Sequence, residues 1–228
     1  MDNGTNTEPE VYGGLEEEAS LFKPENKKIK DVFDIIKTQK RFKDFTDEYQ
    51  NGMFFKNNKL TIIAQKDPLK PSASATTRKL PNGDAIIYLN PDKLLKENPS
   101  SIAKSILHEA AHCFVHGFEA KITNNKPRIS GQDRSNYAVL QSERNVYAGF
   151  SDAKERGEHE YMAKWMLNEI IQGIKDYNLL PPHITNDHYK ALVLLGLTTT
   201  TTWTTFELQM VNNGIFIKNL IDEIKLCY

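Results

Sequence analysis

The stretch SSIAKSILHEAAHCFVHG, residues 100–117, combines the most regular helical pattern in the chain with its most specific motif. Its apolar side chains form one stripe when residues are placed at about 100° per position. The stripe comprises Ile102, Ala103, Ile106, Leu107, Ala110, Cys113 and Phe114. We expect a helix from about Ser101 to His116, with a serine as N-cap and Gly117 as the C-terminal stop. One face would pack on the core, and the other would line a cleft.

Two histidines, His108 and His112, lie four residues apart on the face opposite this stripe. A helix places two such imidazoles one turn apart on one side, where both can bind a single tetrahedral ion. Glu109 adjoins the first histidine and is placed to accept a proton from water at the ion without binding the ion itself. The five-residue pattern is short, and unrelated helices match it by chance. Together with the core stripe, it predicts a zinc site of one ion per chain with Glu109 as catalytic base.

A catalytic zinc ion needs a third protein ligand and an open coordination position. His116 lies two turns beyond His108, about 12 Å along the helix axis, so we expect it at the rim of the site. His159 has helical spacing with Met162 and Met166 and opens the buried face of a later helix. Because the site still needs a third ligand, His159 is the preferred candidate.

Other residues remain open as participants. Glutamate also serves as third ligand in zinc peptidases, and three downstream glutamates are therefore alternatives to His159: Glu143, Glu158 and Glu160. Three further side chains could stabilise an oxyanion, although packing or surface roles are favoured for each: Tyr161, His183 and His188.

Composition argues against two classes of partner. The 228 residues carry a formal net charge of -1, with 39% hydrophobic and 26% charged residues, as in a globular protein with a sizeable core. Nothing in this balance favours nucleic acid or a membrane surface. Cys113 and Cys227 are too few and too widely spaced for a disulfide framework, and we expect Cys113 to be a small buried hydrophobe.

The remaining pattern predicts an α+β fold that is mainly helical. Short strands precede the motif helix, a polar segment at 68–79 forms a mobile loop or a lid, and a long loop follows the motif at 117–140. The predicted helices and strands are a helix at 29–49, strands at 60–64 and 85–89, helices at 138–150 and 158–177 split near Gly157, and a final helix from Asp187 that packs through the Thr198–Thr202 run.

Three blocks of sequence resemble a broad group of bacterial zinc metallopeptidase domains of the zincin type. They are AIIYLN (85–90), IAKSILHEAAH (102–112) and HEYMA (159–163). The resemblance covers roughly residues 80–200. It implies a small sheet packed on the helix that carries the HExxH motif, with His159 as third ligand. We therefore expect a disordered tail or linker at 1–25 and a single zincin-like metallopeptidase domain at 26–228.

The expected activity is hydrolysis of a peptide or protein substrate at an amide bond, with Glu109 as general base. An extended peptide would pair with the edge of the sheet at Ala85–Leu89. The alternative is a non-catalytic binding or structural module whose zinc ion joins two helices. Domains of the resembling group often form the toxin-like end of longer polypeptides, which implies a parent polypeptide, a secretion apparatus or an immunity protein as partner.

We expect no signal peptide and no transmembrane segment, hence a cytoplasmic location by default or export by a signal-independent route.

Overall fold

The computed structural model of the chain describes residues 14–50, 58–124, 129–177, 181 and 183–226. Three predicted features lie outside these ranges: the tail before residue 14, the part of the predicted loop at 125–128, and Cys227.

Helices make up most of the described chain, and one small mixed sheet accompanies them, which confirms the α+β prediction at that level. The helices are α1 (Lys27–Ile36), α2 (Lys40–Gln50), α3 (Pro91–Leu94), α4 (Pro99–Thr123), α5 (Gly131–Val146), α6 (Ala153–Tyr161), α7 (Leu167–Asp176), α8 (Asn186–Leu194), α9 (Thr201–Asn212) and α10 (Ile217–Leu226). A π-helical turn, Met162–Met166, joins α6 to α7. The strands are β1 (Leu15–Glu17), β2 (Leu60–Ile63), β3 (Ala75–Lys79) and β4 (Ala85–Leu89).

The sheet has the strand order β1-β2-β4-β3. β1, β2 and β4 run parallel, and β3 pairs antiparallel with β4, with Thr77 opposite Ile87. β4 is therefore an internal strand, and its predicted role as a peptide-binding edge is wrong. The free edge next to the motif helix belongs to β3.

The motif helix α4 lies at the centre of the fold, where it contacts α1, α2, α5, α7, α8 and two strands of the sheet. Its predicted core stripe is confirmed, since Ile102, Ala103, Ile106, Leu107 and Ala110 are all buried. The opposite side of the helix is also enclosed rather than exposed to open solvent, and it forms one wall of a cleft.

Both predicted ends of α4 are wrong. The N-cap is Asn98, whose Oδ1 accepts a hydrogen bond of 2.8 Å from the Ser101 N–H. Gly117 does not end the helix, which continues to Thr123. Phe118 and Ala120 are buried in these additional turns. Tertiary burial therefore outweighs the local cost of a glycine inside a helix.

The segments before the motif are more ordered than predicted. The single helix expected at 29–49 is two helices, separated at residues 37–39. Part of the expected tail also belongs to the fold, since β1 pairs with β2 and Leu21 is fully buried.

The polar segment at 68–79 is not a simple loop, because its last five residues form β3. The buried carboxylate of Asp67 stabilises the turn before the strand. It accepts hydrogen bonds from the Leu69 N–H at 2.8 Å and the Thr76 hydroxyl at 2.9 Å, and it pairs with Arg78. The predicted mobility therefore does not apply to residues 75–79.

Downstream, α5 begins at Gly131, seven residues earlier than predicted, because Ser130 and Asp133 form a capping box. α6 runs through Gly157 without a break. The threonine run does lead into a packed helix, as predicted: Thr200 is the N-cap of α9, and Phe206 and Met210 are buried.

No helix in the described part of the chain is long and apolar enough to cross a membrane.

The contact between α5 and α6 provides a test of the packing. A Cβ atom on Gly157 would lie 2.5 Å from Arg144 Cγ and 2.6 Å from Arg144 Cα, so alanine cannot fit unless the helices separate. We expect Gly157→Ala to lower the free energy of unfolding by about 1–3 kcal/mol in urea titrations. The matched control is Gly131→Ala, since nothing lies within 4 Å of the Cβ position there. A Gly157→Ala protein as stable as the control would contradict this packing.

Candidate metal centre

Three imidazoles converge on one wall of the cleft. His108 and His112 come from successive turns of α4, and His159 comes from α6. The ring centroids are 5.0 Å (His108–His112), 5.5 Å (His108–His159) and 5.2 Å (His112–His159) apart. Imidazoles that share a tetrahedral ion at about 2.0–2.1 Å have centroids roughly 5 Å apart. One nitrogen from each ring lies within 4.8 Å of the other two, so the three residues could hold a metal ion.

The position of His159 depends on how closely α6 packs on α5. Gly157 brings the α6 backbone against Arg144, as described above. The Arg144 guanidinium then bridges Glu119 on α4 and Glu158 on α6. This partly buried bridge joins α4 to α6, and His159 follows Glu158 directly in the chain.

The protonation of two of the three rings, His108 and His159, suits metal binding. Burial, together with the neighbouring His112 and His159, lowers the pKa of His108 well below its usual value. Burial, followed by the nearby His112, lowers the pKa of His159 to about 4. Both rings are therefore neutral near pH 7, the form in which imidazole binds a metal ion. The buried Nδ1 of His108 has no hydrogen-bond partner within the described chain.

His112 differs from the other two because it faces a carboxylate. Its Nδ1 lies 3.5 Å from Glu158 Oε2, and Glu158 Oε1 accepts a 2.6 Å hydrogen bond from Arg144. Burial lowers the pKa of His112, but the Glu158 hydrogen bond and the charges of Glu109 and Glu158 outweigh it, and the net shift is upward. A carboxylate on one imidazole nitrogen fixes the ring and leaves the other nitrogen free for an ion.

A second group of residues overlaps the first. His116 Nε2 also lies 3.5 Å from Glu158 Oε2, and His112, His116 and Glu158 together could hold a metal ion. His116 does not join His108, in agreement with the helix geometry. The two groups share His112, so they cannot both bind an ion fully. In the second group Glu158 is already bound by Arg144, whereas the three histidines each have a ring nitrogen available for an ion.

Glu109 lies in the same cleft and is almost fully buried. The hydroxyl of Thr77 on β3 donates to Glu109 Oε2 at 3.0 Å and lies 2.8 Å from the Glu109 backbone oxygen. Burial raises the pKa of Glu109, although the Thr77 hydrogen bond and nearby cations oppose the shift. A carboxyl with a raised pKa is a better proton acceptor and donor near neutral pH.

The alternative glutamates have other partners. Glu143 pairs with Lys164 at 2.9 Å. Glu160 is fully buried and accepts hydrogen bonds from the Tyr147 hydroxyl and from the first residues of α9, Thr201 and Thr202. Neither belongs to a metal-binding group among the described residues, whereas Glu158 belongs to the second one.

None of the three candidates for oxyanion stabilisation lines the cleft. His183 is exposed. His188 is buried between Thr185 and Glu223, with its nitrogens 2.8 Å from the oxygens of both side chains. Tyr161 is buried against Phe118, and burial raises its pKa to about 12. Packing and surface roles therefore account for all three positions.

The cleft has a volume of about 790 Å³. Residues 73–77 line one side, and α4, α6 and the turn at Gly196 line the others. Lys70 and Glu155 form an ion pair of 2.8 Å that connects the segment before β3 to α6. The segment predicted as a lid thus forms a wall of the cleft.

Sequence reasoning missed several residues of this site. Thr77 and Arg144 carry no motif of their own, and only the tertiary structure brings them to the histidines. Lys104 lies one helical turn before His108, but the motif gives it no role. The sequence offers Glu158 as an alternative ligand, but its contacts with His112 and His116 depend on the register of α6 against α4.

No protein-family model matches the chain, and no match was found among curated proteins or solved structures.

The carboxylate of Glu158 can be tested as an orienting group. We expect Glu158→Gln to weaken Zn²⁺ binding about 10- to 100-fold in competition titrations with a chromogenic chelator, because His112 loses its charged partner. Glu155→Gln is the matched control, since it removes a cleft carboxylate that pairs with Lys70 instead. Equal zinc affinities for the two variants would show that Glu158 does not orient His112.

Proposed function

We propose that this chain is a zinc-dependent peptidase that hydrolyses an amide bond in a peptide or protein. The observation that carries the proposal is the arrangement of three imidazoles and Glu109 in the wall of one cleft. The sequence resemblance to zincin metallopeptidases points the same way, and a small sheet beside an HExxH helix is consistent with it.

The donor set fits one Zn²⁺ ion. His108, His112 and His159 would hold it, since three imidazoles are a common ligand set for catalytic zinc. When bound, zinc polarises a carbonyl group and lowers the pKa of water towards about 7.

Glu109 carries the proton chemistry in this proposal. Its carboxylate accepts the proton of the attacking water and then gives it to the departing amine. Thr77 holds one carboxylate oxygen at 3.0 Å, which fixes the side chain while the other oxygen stays available. Burial keeps the carboxyl pKa raised and brings it closer to the operating pH.

An extended substrate would pair with β3, because β3 is the edge strand beside the cleft. Main-chain hydrogen bonds to a strand edge recognise a peptide independently of its side chains. Thr77 would then have two roles, since it belongs to the peptide-binding strand and its hydroxyl also holds the carboxylate of Glu109.

A structural zinc module is the second candidate. The three histidines come from two helices, α4 and α6, so an ion between them would also join the helices. In that case Glu109 would have no chemical role, and replacing it would change no reaction. The chain could also act as an effector domain within a longer polypeptide, with a secretion apparatus or an immunity protein as partner. Such a domain would use the same hydrolytic chemistry on a different target.

The Glu109→Gln variant separates the two candidates. We expect it to retain zinc but to lose at least about 100-fold in turnover of a peptide library followed by mass spectrometry, since general-base catalysis contributes about 10²–10⁴-fold. Thr77→Val should give a smaller loss, because the base remains but is less well held. Glu143→Gln is the control, since Glu143 pairs with Lys164 outside the cleft. Undiminished turnover by zinc-loaded Glu109→Gln would remove Glu109 as the base.

A further inference from the structure

The cleft contains a lysine, Lys104, that has no role in the proposed hydrolysis. Lys104 lies on α4 one turn before His108, is half-buried and lines the same cleft. Among the described residues, no carboxylate lies within 4.0 Å of its ammonium nitrogen, and the ammonium donates no hydrogen bond. The ammonium is not among the fully buried polar atoms that lack a partner, so it faces the space of the cleft and is available to a ligand of opposite charge.

Lys104 lies close to the proposed metal centre. A Cβ atom on Gly196 would lie 3.7 Å from Lys104 Nζ and 3.6 Å from His108 Nδ1, so a single small residue separates the ammonium from the imidazole. The same His108 Nδ1 is buried and has no partner within the described chain. If His108 binds zinc through Nε2, Nδ1 carries a hydrogen. Two donors without acceptors then lie around Gly196.

The charges around Lys104 select the kind of ligand. Burial lowers the pKa of Lys104, and the charges of Glu109 and Glu97 oppose this shift. Other acidic side chains also line the cleft, among them Asp152, Glu155 and Glu158. These three carboxylates already pair with Lys70, Arg144 and Arg156, so among the described residues of the cleft Lys104 offers one ammonium without a carboxylate partner, which a single carboxylate of a ligand would match.

The spacing also suits a peptide. One helical turn, from Lys104 to His108, is about 6 Å along the axis. An extended peptide covers about 3.4 Å per residue, so a carboxylate at Lys104 belongs to a residue one or two positions from the reacting amide.

From these observations we infer that Lys104 forms a subsite for a carboxylate of the substrate, either the free C-terminus of a peptide or an acidic side chain near the cleaved bond. The inference rests on the proposed peptidase function and adds a substrate class to it. The carboxylate would form a charge-assisted hydrogen bond with the ammonium in a partly desolvated wall. The protein would therefore favour peptides that carry a carboxylate at this distance from the cleaved bond.

Binding measurements test the subsite without requiring turnover. The probes are N-acetyl-trialanine with a free C-terminus, its C-terminal amide, and the amide of the same peptide with one alanine replaced by glutamate. Each is titrated by calorimetry into Glu109→Gln protein, both zinc-loaded and chelator-treated. We expect a carboxylate probe to bind at least about 10-fold more tightly than the uncharged amide. The probe that shows this preference identifies the source of the carboxylate.

Variants assign the preference to Lys104. Lys104→Met should abolish it, and Lys104→Arg should retain most of it because the charge remains. Lys70→Met is the matched control, since it removes a cleft lysine that already pairs with Glu155. Unchanged far-UV circular dichroism would show that each variant is folded.

The outcomes separate this inference from the proposed function. A preference that depends on Lys104 in protein that binds no zinc would support the subsite and overturn the peptidase proposal. Zinc binding and turnover with equal affinities for all three probes would overturn the subsite alone. Failure of both carboxylate probes to bind, or a preference that survives in Lys104→Met, would also overturn it.

Discussion

The close approach of α5 and α6 at Gly157 is the contact on which the rest of the site depends. Two histidines one turn apart follow from any regular helix, but a third imidazole must come from elsewhere in the fold. Here the missing side chain at residue 157 lets α6 pack on the backbone of Arg144. The Arg144 guanidinium connects Glu119 and Glu158, so α4 and α6 are joined through one partly buried cation. His159 lies beside this bridge.

One face of α4 packs in the core and the other lines the cleft, so the polar residues of α4 are buried as well. A buried ionised group is costly unless it has a partner, and a buried imidazole avoids the cost by staying neutral. His108 and His159 have lowered pKa values, whereas Glu158 stabilises the charged form of His112. A metal ion held by the three rings would replace the proton that Glu158 favours on His112. Burial therefore keeps two of the three imidazoles neutral and raises the pKa of Glu109.

The sequence predicted the parts of this structure that are local. Helical periodicity located α4 and its core stripe, and two short apolar runs located β2 and β4. The apolar spacing after residue 159 favoured His159 over the glutamates, and the structure places His159 beside His108 and His112. The failures concern tertiary context. Gly117 and Gly157 are glycines that usually end or interrupt helices, yet packing against buried neighbours keeps both inside helices. The edge of the sheet could not be predicted, because β3 lies in a polar segment whose order depends on the buried Asp67.

The most direct measurement is the metal content of the wild-type protein and of His159→Ala, purified without chelators and reloaded side by side. A three-histidine centre predicts about one zinc ion per chain in the wild type and a sharp reduction in the variant, since two imidazoles from one helix hold zinc poorly without the third. His183→Ala is the matched control, because His183 is exposed and does not line the cleft. Equal zinc in wild type and His159→Ala would place the third ligand elsewhere. No metal in the reloaded wild type would contradict the metal centre itself.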